Sequence, residues 1–285
     1  MIKTILIRLE GTIIIDEYLH FKYYEKLWYY LRRTATWQSF DSIMELREQI
    51  LKRTQGQRPY QIIANHYLNS RERDRYFQEV DIFTKKFLSF YLRIVPGILT
   101  IAQNLNYYYK TILFASNKQL LGIVLKKFWL QKYFTHVFTM EDEKQKINLS
   151  EFFQKVLSIT KTEVNEAILI SSLLASDVAP ANHMGLSTIQ TRFDLKTKGI
   201  MPQNLVERKY FQSIQKISEL PKEPVRSDQI PMAVAESPPD ILKLVKEIER
   251  EEVPSTAEVK MDSAIKTDFW DLMKQLLNQP LEEKV

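Results

Sequence analysis

Near its N-terminus the chain reads Ile5-Leu-Ile-Arg-Leu-Glu-Gly-Thr12. Isoleucine and leucine crowd positions 2–9, which is typical of a buried β-strand. The strand runs into Glu10 and then Gly11, and a glycine permits the tight turn that would end it. A strand this early often carries functional side chains at its carboxyl end, so we expect a site around Arg8 and Glu10.

From residue 16 to about residue 92 the apolar side chains follow helical spacing, as Leu19, Tyr23 and Leu27 illustrate. This pattern predicts an all-helical insert of some four helices. The first of them is crowded with tyrosine and other aromatic residues between Tyr18 and Tyr30. These residues either line an apolar pocket or belong to the core, which is the usual role of an aromatic stripe at helical spacing.

After Pro96 and Gly97 the pattern changes to alternating strands and helices, which predicts a parallel sheet in a three-layer α/β sandwich. A further helix is expected over 205–217. The other predicted strands are 111–114, 136–139, 167–170 and 187–191, and the other predicted helices are 98–106, 117–129, 150–158 and 176–183.

The C-terminal part has a different composition. Residues 221–285 contain seven of the eleven prolines and no glycine, and their net charge of −5 contrasts with +10 for residues 1–220. This composition is typical of a linker with short helices embedded in it.

Two amphipathic helices are predicted within this tail, one opening with a capping-box-like Ser237-Pro-Pro-Asp240 and one spanning about 263–278. Each has an apolar face that either packs back on the domain or docks into the groove of a partner protein. The apolar residues are Ile241, Leu242, Val245 and Ile248 in the first helix, and Ile265, Phe269, Leu272, Met273 and Leu276 in the second.

Composition excludes several classes of site. The chain has no cysteine, so disulfides, thiolate metal sites and a cysteine nucleophile are excluded, and the cytoplasm is the expected compartment. We expect no membrane span and no signal peptide. The four histidines lie far apart, which does not suit a metal site. Basic residues are interspersed with acids, so we do not expect nucleic acid as a partner.

Four segments, in this order, resemble the four sequence motifs of the haloacid dehalogenase-like (HAD) superfamily. In the first, Gly11 and Thr12 match the Asp-x-Asp-Gly-Thr motif of that superfamily. Arg8 stands in place of its nucleophilic aspartate, and Glu10 stands in place of its acid/base aspartate.

The second and third segments retain residues that hold phosphate in the superfamily. Ser116, in the segment 112–117, is similar to the Ser or Thr that binds the phosphoryl oxygens. Lys146, in the segment 146–152, is similar to the phosphate-binding lysine, although both prolines of that motif are absent.

The fourth segment, 170–178, lacks one of the acidic residues of its motif, as the first segment also does. Asp177 matches the second acid of the motif, whereas Ser172 replaces an acid that binds magnesium and Ser171 replaces a glycine.

The resemblance covers about residues 1–191 and is nearest to the phosphoglycolate phosphatase-like members with a helical cap. It implies a Rossmann-like three-layer α/β sandwich with a parallel sheet and an inserted all-helical cap, followed here by a C-terminal extension with amphipathic helices. The expected divisions are a core of 1–15 and 93–200, a cap of 16–92, a terminal helix within 201–220 and a tail of 221–285.

The reaction of the superfamily needs an attacking carboxylate, a second acid and Mg²⁺. Arg8 cannot attack phosphorus, because its guanidinium stays protonated and offers no lone pair. Magnesium prefers oxygen ligands, yet a cation and a hydroxyl stand at two of its carboxylate positions. We therefore predict no catalytic residue, no metal and no cofactor, with Mg²⁺ required only if the chain is a hydrolase after all.

We expect Arg8 to occupy the cation position and to pair with Asp177 and Glu10. In the alternative, Arg8 points to solvent. A second question is whether the phosphate-holding residues still bind an anion or serve as a helix cap and a surface lysine; these residues are Ser116, Asn117 and Lys146.

The predicted function is that of a catalytically inactive HAD-like domain, a protein-binding scaffold or regulatory subunit that contacts another protein through its tail helices. The alternative is a divergent HAD-type phosphatase that acts on a small phosphorylated substrate, with Glu10 and a water molecule in place of covalent catalysis.

Overall fold

The structure is a computed structural model that describes residues 1–33, 39–53, 58–140, 148–219 and 222–250. Two of its strands form a small antiparallel ribbon, and the other six form one sheet in which all neighbours are parallel. The strands are β1 (Thr4–Arg8), β2 (Ile14–Ile15), β3 (Arg93–Ile94), β4 (Lys110–Ala115), β5 (His136–Thr139), β6 (Ala167–Ser171), β7 (Ser187–Thr191) and β8 (Ala233–Ala235).

The order of strands in the sheet is β5-β4-β1-β6-β7-β8. Helices cover both of its faces, so the predicted three-layer α/β fold with a parallel sheet is confirmed. The helices are α1 (Glu17–Leu31), α2 (Phe40–Arg53), α3 (Pro59–Tyr67), α4 (Ser70–Tyr91), α5 (Ile98–Tyr108), α6 (Lys118–Phe128), α7 (Leu149–Thr160), α8 (Ala179–Met184), α9 (Leu205–Lys216) and α10 (Pro238–Glu249).

The central strand β1 is buried over its whole length because it supplies both cores. Ile5 and Ile7 belong to the larger apolar cluster, which includes the cap, whereas Leu6 packs in the smaller one with Phe114 and Phe153. This alternation is the consequence of the two-residue repeat of a strand that is covered on both faces.

The cap consists of α1 to α4 and is inserted between β2 and β3, whose antiparallel pairing joins it to the sheet domain. The aromatic stripe of α1 is core rather than a pocket lining. Tyr18, Phe21 and Tyr24 are buried, and Tyr24 lies 5.9 Å from Tyr60 of α3 between ring centroids.

Helix α9 lies between β7 and β8 in sequence but packs on the cap. Arg47 of α2 is fully buried and donates to the Ser213 hydroxyl and to the Ile217 carbonyl, each at 3.0 Å. Its Nε also lies 3.3 Å from the Glu219 carboxylate, which accepts a hydrogen bond from Tyr24. These contacts fix the cap against the segment between β7 and β8.

The expected division at residue 221 is wrong for residues 222–250. β8 pairs in parallel with β7 and extends the sheet, and both β8 and α10 belong to the compact unit Met1–Pro254. Three of the four partner-binding candidates in α10 are buried in the main core, and the fourth is partly buried against it; in order, these are Ile241, Val245, Ile248 and Leu242. These residues recur at helical spacing and so share one face of α10. That face packs back on its own domain and is therefore not available to a partner. The other candidates, Phe269, Leu272, Met273 and Leu276, lie outside the described residues.

Candidate functional site

The site lies at the edge of the sheet where β1, β4 and β6 end. Arg8 is the last residue of β1 and stands opposite Phe114 in the register with β4. Ser116 follows β4 directly, and Asp177 lies in the single π-helical turn Leu174–Val178 after β6. Because parallel strands end at the same edge, residues distant in sequence meet there.

Arg8 is buried, with only 4% of its surface exposed, so the alternative in which it points to solvent is wrong. Its Nε lies 2.6 Å from Oε2 of Glu10, and its Nη1 lies 3.4 Å from Oδ1 of Asp177. The Nη1 group also donates to the sulfur of Met140 at 2.9 Å, and the guanidinium lies over the Phe114 ring at 5.3 Å. One fixed cation therefore contacts two carboxylates.

Asp177 is fully buried and held on both oxygens. The hydroxyl of Ser171 donates to Oδ2 at 2.6 Å, and that of Ser176 donates to Oδ1 at 3.1 Å. Burial raises the pKa of Asp177 above its ordinary value, and the charge of Arg8 and the two hydroxyls partly offset that effect.

Glu10 is held by Ser116 as well as by Arg8. Its Oε1 accepts a hydrogen bond from the Ser116 backbone N–H at 2.8 Å and another from the Ser116 hydroxyl at 2.5 Å. The resemblance implies that the Ser116 hydroxyl holds a phosphoryl oxygen, and here a carboxylate of the chain itself accepts its hydrogen bond.

The other sequence-predicted residues are placed differently. The Asn117 side chain accepts from the Leu120 N–H at 2.8 Å and caps α6, which is the helix-cap alternative. Lys146 lies outside the described residues. Ser172 is partly buried beside Ser171, and its hydroxyl has no hydrogen-bond partner among the described residues.

Three contacts of the site were missed in the sequence. Ser171 was noted only as a departure from a glycine, although it makes the shortest hydrogen bond to Asp177. Phe114 was detectable in principle, because it ends the predicted strand 111–114 and stands opposite Arg8, the last residue of β1. Nothing in the local sequence of Met140 indicates that its sulfur meets Arg8.

The residues present do not fit a magnesium ion. Magnesium requires several oxygen ligands at about 2.1 Å in octahedral geometry. At this site the guanidinium of Arg8 already contacts Glu10 and Asp177, and a bound divalent cation would face a neighbouring positive charge. Elsewhere in the described part of the chain, His, Asp and Glu side chains form no group of three that would hold a metal.

No family model and no curated protein sequence matches the chain. Solved structures do match it in fold. A HAD-superfamily hydrolase of subfamily IA from Geobacter sulfurreducens aligns with a TM-score of 0.58 at 14% identity, over 86% of this chain and 96% of that one.

Two further structures give the same result. A candidate beta-phosphoglucomutase from Thermotoga maritima aligns with a TM-score of 0.57 at 15% identity, over 86% of this chain and 99% of its own. A candidate HAD hydrolase from Bacillus subtilis, which was solved with bound magnesium, aligns with a TM-score of 0.58 at 13% identity, over 86% and 98%. The chain therefore has the HAD-like fold.

Proposed function

We propose that this chain is a non-catalytic protein built on a phosphatase fold, and that it acts in the cytoplasm by binding another protein. The observation that carries the proposal is the position of Arg8. A buried guanidinium lies at the carboxyl end of the central strand and contacts Glu10 and Asp177.

The charge balance at the site supports this proposal. A buried cation next to two carboxylates balances their charge without a metal ion, and the arginine that ends β1 cannot itself act as a nucleophile. The backbone N–H and the hydroxyl of Ser116 donate to the Glu10 carboxylate, so they are not free to donate to a phosphoryl oxygen. This geometry favours a structural network, in which the charges and donors are paired within the chain, over a site that is open to substrate.

The competing function is hydrolysis of a small phosphate ester with Glu10 as general base. The names of the structural neighbours favour it, because they include hydrolases and a phosphoglucomutase. General acid/base catalysis alone contributes about 10²- to 10⁴-fold, which is far below what phosphate monoesters require. In addition, Glu10 is held by Arg8 and Ser116 and would have to leave both to reach a water molecule.

The partner-binding half of the proposal rests on sequence. The α10 face is used inside the domain, so the remaining candidate is the segment 263–278. Its apolar residues recur at helical spacing, which suits a helix that docks in a groove.

The proposal that the chain is non-catalytic can be tested by measuring hydrolysis of p-nitrophenyl phosphate with Mg²⁺. The natural chain is compared with Glu10→Gln and with the double variant Arg8→Asp, Ser172→Asp. The natural chain and Glu10→Gln should both match the rate in buffer. If the natural chain turns over substrate and Glu10→Gln abolishes that turnover, the hydrolase alternative is correct. Activity gained only by the double variant would support the view that the site lacks its carboxylates.

A further inference from the structure

One surface of the described chain that exposes large apolar side chains lies where the end of α4 meets the end of α6. The two helices are tied together by Lys127, whose ammonium donates to the carbonyls of Ser89 and Leu92, the latter at 2.9 Å. Apolar and basic side chains are concentrated around this junction, which we call the α4/α6 surface and define by residues 81–93 and 126–133.

On α4 the exposed residues form a stripe. Ile82, Lys86 and Phe90 are four residues apart, so they lie on one side of the helix. Ile82 is 62% exposed and Phe90 is 74% exposed, whereas Tyr76 and Val80, which come earlier in the same helix, are buried. A side chain as exposed as Phe90 protrudes from the surface and does not line a groove.

On α6 the matching residue is Trp129, which is 76% exposed and ends the helix in the left-handed conformation, with φ 53° and ψ 37°. Glycine or asparagine adopts that conformation with little strain, whereas a bulky residue does not. A large apolar side chain that is exposed on a strained backbone motivates a hypothesis of function.

The charge of the α4/α6 surface has one sign. It contains six Lys and Arg residues, all exposed, and a single Asp, so its net charge of +5 equals that of the whole chain. Two of the cations lie close enough to interact, since burial and then the charge of Arg93 lower the pKa of Lys127. The cations are Lys85, Lys86, Arg93, Lys126, Lys127 and Lys132.

We infer that the α4/α6 surface docks on a bilayer that contains anionic lipids. Protruding Phe and Trp side chains insert at the boundary between headgroups and acyl chains, and lysines attract the anionic headgroups around them. No helix in the described ranges has the length and apolar character to cross a membrane.

The same chemistry favours a bilayer over two other anionic partners. Nucleic acid is recognised by stacking and by the fork of arginine, whereas five of the six cations here are lysines and Ile82 cannot stack. An acidic peptide in a groove would need walls beside Phe90 and Trp129, and both side chains protrude.

Sedimentation of the full chain with lipid vesicles tests the inference. We expect binding to vesicles of phosphatidylcholine mixed with phosphatidylserine, and little binding to phosphatidylcholine alone. The apolar variant Phe90→Ser, Trp129→Asn and the charge variant Lys86→Glu, Lys126→Glu should each weaken binding by at least about tenfold. Asparagine at position 129 tolerates the left-handed backbone, so this variant should fold.

Two matched controls lie elsewhere on the surface. Leu205→Ser removes an exposed apolar side chain from α9, and Lys222→Glu reverses an exposed charge near β7. Both should bind like the natural chain. The inference is overturned if the natural chain does not sediment with anionic vesicles, if the controls lose as much binding as the test variants, or if the chain binds single-stranded RNA through Trp129 and ignores the vesicles.

Discussion

The carboxylate of Glu10 accepts both hydrogen bonds that Ser116 offers at the end of β4, one from its backbone N–H and one from its hydroxyl. The same carboxylate contacts Arg8 through its other oxygen. An acid of the chain thus occupies the donors that an anionic ligand would use, and this arrangement can be tested by removing the acid.

Glu10→Ala should create an anion site. This change frees the two donors of Ser116 and leaves Arg8 with one fewer carboxylate. Inorganic phosphate should therefore bind about 10- to 100-fold more tightly than to the natural chain, which is the gain expected from one charge-assisted hydrogen bond. Calorimetric titration with phosphate would measure this. Glu10→Gln is the control, because its amide oxygen still accepts from Ser116 and should keep the site closed. Equal phosphate affinity in both variants would contradict the account.

Arg8→Met should strongly destabilise the fold. Asp177 is fully buried, and without Arg8 it loses the positive charge that contacts it, which costs about 3–5 kcal/mol in the free energy of unfolding. Denaturant titration would measure the loss. Arg75→Met removes the cation of an exposed pair with Glu79 and should cost about 0–1 kcal/mol. Similar losses in the two variants would mean that the Arg8 contacts contribute little.

The effect of Arg8→Met should depend on pH. Burial raises the pKa of Asp177 in the folded chain, so the unfolded chain ionises first as the pH rises above about 3.8 and the free energy of unfolding falls. Removing Arg8 takes away a charge that holds this pKa down, so the drop becomes larger. The destabilisation should be small near pH 4 and full near pH 7, as measured by denaturant titration at each pH. In Arg8→Met, Asp177→Asn this dependence should disappear; if it persists, another group causes it.

Arg47→Met should loosen the cap. This fully buried arginine joins α2 to Ser213, Ile217 and Glu219, and its loss leaves a partly buried carboxylate without its cation, at a cost of about 3–5 kcal/mol. Lys216→Met is the control, because the lysine side chain is 70% exposed and its pair with Glu48 should be worth about 0–1 kcal/mol. Hydrogen exchange of α2 amides should accelerate in Arg47→Met alone. Unchanged exchange would show that other contacts hold the cap.

The sequence predicted the helices and strands best where the apolar pattern is long or where a strand is clearly apolar. β5 and β7 begin and end at the predicted residues, and the four cap helices follow their apolar spacing. Arg8, Glu10 and Asp177 meet at the edge where β1 and β6 end, as expected from their positions in the motifs that the chain resembles.

The sequence failed where a short element depends on its neighbours. β8 has three residues, too few for a periodic pattern, and it is a strand because β7 offers a free edge. The prolines around it suggested a linker, yet Pro238 lies in the first turn of α10, where proline is tolerated. Hydrogen bonds such as Ser171 to Asp177 depend on the turn after β6, which residue type does not reveal.

The most direct test of the central claim, that Arg8 stands where a metal would bind, is the effect of Mg²⁺ on the free energy of unfolding. The natural chain should show no stabilisation by Mg²⁺, whereas Arg8→Asp, Ser172→Asp should gain about 1.4 kcal/mol at a magnesium concentration about tenfold above its dissociation constant. If Mg²⁺ stabilises the natural chain and this stabilisation is lost in Asp177→Asn, the claim is contradicted and the hydrolase alternative is favoured.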